Sequence, residues 1–452
     1  MKSQPLRTPF LQALLASFLL LLNLTLEARE VELVVGKETL QKMRFGMDYE
    51  RLWFWNGSLN AEEKALVAKW SVIDTKIDYI RVAINSEYEL TEGKLNPEAY
   101  TKRIIPMMKS MQEANPNIKF FASPRPLNEI KTLRKEAWQP YPRWITGASK
   151  NKGNFDFKWE KCAQYLERYL NLMKENGFEI SFLDITNEWH DSSGRLGRLT
   201  AEDAQKISEY LKEKFPSSEM PLIVAPSSWS YAQGTQWLRS LNSGSKRKAI
   251  DIASSHNTDR TGTAKDFAKT AQRVLGKDTE VWNTELHGWK STSKENEVTS
   301  FYYMLETIRA GFSGINGWLA IGTPKQGHAY IMNPSGTPVR GVKYFLFQKL
   351  SSTSNYGHAL KIDKEPSQLS HTAALIKDGL MTVWVINKSD KDVPLKISPQ
   401  GHTLSDRTVI ETRWTDPKDV EGFRTELTAS SNRAVSSTIP PHSVCCFEIQ
   451  VN

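Results

Sequence analysis

Between residues 32 and 320 the chain repeats one pattern eight times: a short β-rich run, then a stretch with helical periodicity. The runs are "MRFGMD" (43–48), "YIRVAI" (79–84), "IKFFAS" (118–123), "ISFLDIT" (180–186), "PLIVAP" (221–226), "IDIASSH" (250–256), "TEVWNTE" (279–285) and "INGWLAI" (315–321). The helical pattern is clearest over 158–177, where Trp159, Cys162, Leu166, Tyr169, Leu170 and Met173 recur at three- and four-residue spacings and Gly177 ends the helix. It returns over 201–215, capped by Thr200, and over 296–312. Alternation of this kind is the mark of βαβ units, and eight units are what a (β/α)8 TIM barrel of class α/β needs. A doubly wound open sheet is the competing architecture. It fits poorly, because no Gly-rich phosphate loop follows the first run and polar residues crowd most strand ends instead of one crossover point.

The flanks read differently. The apolar run "LLASFLLLLNLTL" (14–26) follows Lys2 and Arg7 and precedes "EARE", so residues 1–28 have the layout of a secretory signal peptide, and a secreted or periplasmic protein is expected. The run is short for a membrane span and lacks a basic stop-transfer cluster, so no stable span is expected once the signal is removed. The barrel then occupies 29–340. From 341 a last helix (341–350) gives way to alternating runs such as "MTVWVINKS" (381–389) and "SVCCFEIQV" (443–451), which predict a C-terminal antiparallel β-sandwich domain over 341–452. The run "VELVVG" (31–36), within 29–42, precedes the first barrel strand with no helix between them and is expected to pair with that sandwich. Cys162, Cys445 and Cys446 offer no disulfide framework. The charge of +8 is scattered among acids, which suits a solvated surface and gives no nucleic-acid patch; an anionic polymer could still be drawn by the summed field.

In a parallel barrel the carboxyl ends of the strands converge on one face, where catalytic groups sit. The fourth run leads into Asn187-Glu188 and the seventh ends at Glu285, so two glutamates face one another across the mouth. Glycosidic cleavage needs such a pair: one carboxyl protonates the leaving oxygen, and the other attacks or activates water at the anomeric carbon. An isolated Asn-Glu pair is more often a cap or a satisfied polar cluster. Its place at the fourth of eight strand ends is what lifts it above that.

A strand ending in Asn-Glu, a later strand ending in Glu and a Trp-bearing eighth strand resemble the retaining glycoside hydrolases of the large clan built on the (β/α)8 barrel. The resemblance spans nearly the whole barrel, although each motif is short. It implies Glu188 as acid/base, Glu285 as nucleophile, Arg81 as the second-strand arginine that keeps the nucleophile ionised, and Asn187 as a ligand of the sugar 2-hydroxyl. It further implies a contact from His256 and a sugar floor at Trp318, against a satisfied histidine and a core tryptophan. The stretch "RFGMDYERLWFW" (44–55) concentrates Asp48, Glu50, Trp53 and Trp55, and Arg125, Trp189, His190, Trp229, His287 and Trp289 lie near other strand ends. Aromatic faces stack on pyranose rings while charged groups bind hydroxyls, so these are substrate-binding candidates; with 14 tryptophans in the chain, an extended polysaccharide cleft is expected.

Within the clan, the sandwich built from both chain ends resembles the glucosylceramidase and glucuronoxylanase group. The motifs "FGMDYERLWFW", "ASPRP" (122–126) and "FLDITNEW" look more like the β-agarase and β-porphyranase family, which implies a red-algal galactan as substrate, with Arg125 and Arg143 available to sulfate. The reading is therefore a retaining endo-glycoside hydrolase that needs no cofactor and no metal, since the few histidines lack ligand spacing. Its partner is a polysaccharide, and a monomer is the default state. The other readings are a β-glycosidase or xylanase of the glucosylceramidase-like group, a non-catalytic carbohydrate-binding barrel, and a barrel enzyme acting on a phosphorylated metabolite. The last would need a phosphate loop that "HGWKSTSKEN" (287–296) scarcely provides.

Overall fold

A computed structural model of the chain describes residues 30–50, 59–125, 141–147, 156–188, 199–241, 248–288, 297–322, 329–333 and 337–452. The signal-like residues 1–28 lie outside them. Among the described residues no helix is long and apolar enough to cross a membrane.

After β1 (Val31–Lys42), eight parallel strands close into a barrel: β2 (Arg44–Asp48), β3 (Tyr79–Asn85), β4 (Lys119–Arg125), β5 (Ile180–Asp184), β6 (Leu222–Ser228), β7 (Ile252–Ser255), β8 (Glu280–Leu286) and β9 (Gly314–Gly317). The ring shuts where Phe45 of β2 pairs with Ile315 of β9. Helices α1 (Ala61–Ala68), α2 (Ile104–Ala114), α3 (Trp159–Glu175), α4 (Ala201–Lys214), α5 (Tyr231–Ser240), α6 (Ala264–Leu275) and α7 (Tyr302–Arg309) each follow one strand and precede the next, and α8 (Val342–Ser354) follows the last. Sequence dictates these locally. On α3 the predicted stripe of Cys162, Leu166, Tyr169, Leu170 and Met173 is buried, and α4 starts on a reciprocal Thr200–Asp203 cap.

Two expectations need correction. The third strand runs on to Arg125, which places that arginine in the barrel wall and not on a loop. The eighth ends at Gly317, well short of 321. Beyond it the backbone turns to other partners: Tyr330 N donates to Leu319 O at 3.0 Å and Ile331 N to Ala320 O at 2.9 Å. Thus β10 (Ile321–Gly322) joins β11 (Ile331–Met332) and β12 (Val339–Arg340) in a separate three-stranded sheet.

The floor of the barrel is apolar. Tyr79, Phe121, Phe182, Val224, Ile252 and Trp282 point inward as one cluster, with the rings of Tyr79 and Trp282 stacked 4.9 Å apart. Two neighbouring strands carry glycine at this level, and a Cβ at Gly46 would collide with the Tyr79 ring as one at Gly314 would with Trp282. The large rings fit because those two positions have no side chain. Gly46→Ala is therefore expected to destabilise the fold by about 1–3 kcal/mol through overpacking, measured by urea unfolding against wild type.

The remaining strands are β13 (His358–Lys364), β14 (His371–Lys377), β15 (Leu380–Asn387), β16 (Val393–Pro399), β17 (Thr408–Trp414), β18 (Phe423–Thr428), β19 (Val435–Ile439) and β20 (Ser443–Gln450). With β1 they form a nine-stranded sheet in the order β18-β17-β20-β15-β14-β13-β1-β16-β19. β1 does pair with the C-terminal strands, antiparallel to β13 and parallel to β16, the one parallel pair in an otherwise antiparallel sheet. The sheet folds back on itself, so that Ser437 Oγ of β19 donates to Glu411 Oε2 of β17 at 2.9 Å and one core encloses Leu33, Val383, Val409, Val435 and Phe447. Cys445 faces that core, whereas Cys446 joins Trp384 and Trp414 in the core shared with the barrel. Adjacent residues of a strand face opposite ways, and this separates the two thiols, both of which are free.

Candidate active site

Two residues beyond seven of the eight floor positions the next inward side chain is polar: Asp48 after Gly46, Arg81 after Tyr79, Ser123 after Phe121, Asp184 after Phe182, Ser254 after Ile252, Thr284 after Trp282 and Asn316 after Gly314, with Pro226 after Val224 the exception. All seven are fully buried. A buried polar layer persists when most of its members bond to one another, and here the bonds centre on Arg81, although Arg81 Nε and Asn316 Oδ1 have no hydrogen-bond partner among the described residues. Its Nη1 lies 2.8 Å from Asp48 Oδ2, 2.6 Å from Glu50 Oε1 and 2.5 Å from Glu285 Oε1. Its Nη2 donates to Ser123 Oγ at 2.7 Å, and that hydroxyl donates to Asp184 Oδ2 at 3.0 Å. Across the barrel Ser227 Oγ contacts Ser254 Oγ at 2.9 Å and Thr284 Oγ1 at 3.1 Å.

Above this layer the strand ends bring Glu188 and Glu285 together. Glu188 follows β5 with φ +49°, in the left-handed region that non-glycine residues seldom adopt, and its N–H donates to Ser227 O at 2.9 Å. Glu285 lies within β8. His256, fully buried just past β7, sits between them, with Nδ1 2.8 Å from Glu188 Oε1 and 3.9 Å from Glu285 Oε2. One carboxylate oxygen of each glutamate and one His256 nitrogen all lie within 4.8 Å of one another.

The electrostatics separate the carboxyls. Burial alone would raise the Glu285 carboxyl, but Arg81, then His256, and a hydrogen bond from His287 outweigh it and hold the group well below the usual carboxylate range. Burial wins instead at Asp48 and Asp184, each pushed up to about 6 despite Arg81. Asp48, Glu50 and Glu285 also have the spacing of metal ligands, yet Arg81 Nη1 already bonds to all three and supplies the cation.

These opposed shifts set a pH dependence of stability. Between the ordinary aspartate value of about 3.9 and about 6, the folded chain keeps protons on Asp48 and Asp184 that the unfolded chain has released, so stability falls as pH rises through about 6. The depressed Glu285 works the other way, with stability lost as pH falls below the ordinary glutamate range. The melting temperature is expected to be highest near pH 4, to drop by several degrees between about pH 4 and about pH 6, and to level off above that. In Asp48→Asn/Asp184→Asn the decline between about pH 4 and about pH 6 should flatten; a profile as steep as wild type would contradict the assignment.

The sequence candidates are placed as follows. Arg81, Asp48, Glu50, His256, Glu188 and Glu285 form one connected cluster, with Asn187 fully buried next to Glu188 in the chain. Asp48 and Glu50, read as substrate ligands, direct their carboxylates to Arg81 below the mouth. Arg125, read as a loop arginine open to sulfate, is buried and ion-paired to Glu50. Trp318 is 6% exposed and stacks on His287, ring centroids 4.4 Å apart. Trp229 lies half-buried past β6, its carbonyl accepting from Thr258 N at 3.1 Å. Trp53, Trp55, Trp189, His190 and Trp289 lie outside the described residues. The structure adds Asp184, Ser123, Thr258 and Arg260. An aspartate inside the apolar run "SFLDIT" was a visible sign of the first; nothing in sequence marks the loop residues.

No family model matches the sequence, and no curated protein matches it. The fold does have solved relatives. A GH30 endoxylanase from Clostridium papyrosolvens superposes with a TM-score of 0.68 at 16% identity, over 93% of this chain and 100% of that one. The catalytic domain of GH30 xylanase C from Talaromyces cellulolyticus gives 0.69 at 15% identity, over 93% and 100%. An endo-β1,6-glucanase gives 0.65 at 15% identity, over 92% and 94%. The shared architecture is the (β/α)8 barrel with an appended β-sandwich. Identities at this level carry the fold, and function has to come from the site itself.

Proposed function

We propose that the protein is a retaining glycoside hydrolase that cleaves β-linked polysaccharide. The observation that carries this is the Glu188–Glu285 pair. One oxygen of each lies within 4.8 Å of one on the other, a close approach that is compatible with the roughly 5–5.5 Å carboxyl spacing of double displacement and favours it over the roughly 6.5–9.5 Å of inversion. Glu285, held ionised by Arg81, attacks the anomeric carbon as Glu188 protonates the leaving oxygen. Glu188 then acts as base for the water that releases the glycosyl-enzyme. Arg81 raises no barrier to the attack, since it is already oriented and desolvated before substrate arrives.

Among the described residues the site carries five carboxyl groups (Asp48, Glu50, Asp184, Glu188, Glu285) against three guanidiniums (Arg81, Arg125 and, behind His287, Arg260). That balance favours an uncharged sugar at the cleaved bond and draws the substrate class toward neutral β-glycans such as those named for the structural relatives, over a sulfated galactan. Export, inferred from the apolar run at 14–26, would bring the enzyme to a substrate too large to enter a cell.

The test is a panel of xylan, β-1,6-glucan, agarose and porphyran, with the anomer of the first-formed product read by NMR. Cleavage with retention of the β configuration supports the proposal. An inverted first product would defeat it, and cleavage confined to porphyran would overturn the preference for a neutral glycan.

A further inference from the structure

We propose that Thr258 and His287 are positioning residues that hold Glu188 and Glu285 in register through a second polar bridge, two hydrogen bonds and one ion-pair-range contact, an inference that rests on the retaining reading above. Two routes join the same two carboxylate oxygens. The short one is His256 Nδ1, 2.8 Å from Glu188 Oε1 and 3.9 Å from Glu285 Oε2. In the longer one Thr258 Oγ1 lies 3.1 Å from Glu188 Oε1 and 3.2 Å from His287 Nε2, and that nitrogen is 3.6 Å from Glu285 Oε2.

Counting protons fixes the direction of this bridge. A threonine hydroxyl has one hydrogen, and Thr258 donates it to Glu188 Oε1, which accepts both as the unprotonated oxygen of the acid before attack and as a carboxylate oxygen in the glycosyl-enzyme. The threonine oxygen must then accept from His287, whose Nε2 carries the proton. That N–H also faces Glu285.

The loops are built to keep His287 there. Three of four consecutive residues after β7 engage it. Asn257 Oδ1 accepts from its backbone N–H at 2.9 Å, Thr258 meets its ring, and Arg260 Nη2 donates to its carbonyl at 2.6 Å. Arg260 itself has φ +62° and lays its guanidinium 3.8 Å from the centre of the Tyr303 ring. On its other side the His287 ring stacks on Trp318. Two hydrogen bonds thus fix the His287 backbone, one of them from an arginine itself held over an aromatic ring, while Thr258 and Trp318 meet the imidazole.

Double displacement explains the need. Negative charge resides on Glu285 before attack and on Glu188 in the glycosyl-enzyme, where Glu285 has become an ester. A bridge with a donor aimed at each carboxylate serves both states without moving a side chain.

Thr258→Val removes the hydroxyl at nearly constant shape, and His287→Phe removes the N–H while keeping a ring against Trp318. On a glycan that wild type cleaves, each is expected to lower kcat by about 10- to 100-fold, the range for losing a hydrogen bond to a charged group, with KM changed by less than about twofold. The double variant should be no slower than the slower single, because one bridge is broken either way. Thr258→Ser and His287→Gln restore a donor and should recover most of kcat, which also covers the case in which Thr258→Val or His287→Phe folds poorly. Wild-type kcat in Thr258→Val, multiplying losses in the double variant, or a Ser variant as slow as Val would overturn the bridge while leaving the two-glutamate reading intact. If wild type cleaves nothing in the panel, that reading falls and the bridge with it.

Discussion

Glu285→Gly is expected to lower turnover by 10⁴- to 10⁶-fold, on the order of the loss when a covalent nucleophile is removed, while lowering the melting temperature by only a few degrees. Activity falls because the neighbouring carboxyls of Asp48 and Glu50 are bonded to Arg81 and leave no free nucleophile in place of Glu285. The fold survives because the deletion leaves Arg81 paired with Asp48 at 2.8 Å and Glu50 at 2.6 Å, so no buried charge is left without a partner. Azide distinguishes the two glutamates. In Glu285→Gly it enters from the vacated nucleophile side and gives the α-glycosyl azide, the product of one inversion. In Glu188→Gly it intercepts the glycosyl-enzyme on the opposite face and gives the β-glycosyl azide, the product of two. Exchanged anomers would exchange the roles of Glu188 and Glu285, and rescue in neither variant would remove the covalent intermediate from the mechanism.

The barrel was legible because its cause is periodic. Eight runs of β-rich residues separated by helical stripes leave few alternatives, and the ends of "YIRVAI" and "TEVWNTE" fall within one residue of the observed strands. The sandwich followed from alternation, and the pairing of β1 from the missing helix after it. Arg125 and the eighth strand were misjudged for a shared reason. Strand ends are decided by which backbone partner lies alongside, and neither the neighbour of Arg125 in β3 nor the pairing of Ile321 with Ile331 is encoded locally. Within the site, strand-borne groups such as Arg81 and Glu285 could be found from sequence because a polar residue in an apolar strand has to be accounted for. Thr258 and Arg260 sit in a loop where threonine and arginine are commonplace. Only the fold brings them to His287, and no spacing rule reaches across two βα-loops.

Arg81→Met is the substitution that most severely tests the interior of the barrel. The arginine is completely buried, and one nitrogen of its guanidinium serves Asp48, Glu50 and Glu285 while the other reaches Ser123 and lies 3.9 Å from Asp184. With Met in its place the layer keeps its carboxyls and loses its central cation, and only Arg125, paired with Glu50, stays. Breaking a buried ion pair by removing one partner costs about 3–5 kcal/mol, and here the stranded groups are several, so urea unfolding should show a loss at the upper end of that range or beyond it. The carboxyls would respond by binding protons. Glu285 loses the cation that outweighs its burial, so the acid limb of the pH–rate profile is expected to move to higher pH, and activity at neutral pH to fall with it. Arg81→Lys keeps the charge but has no planar fork with which to reach both sides of the cluster, and should lie between wild type and Met on both measures. The decisive comparison is Arg81→Met/Asp48→Asn. If the damage is uncompensated charge, neutralising Asp48 should recover part of the stability lost in Arg81→Met. If it is lost packing, the second substitution should recover none, because asparagine and aspartate fill the same space.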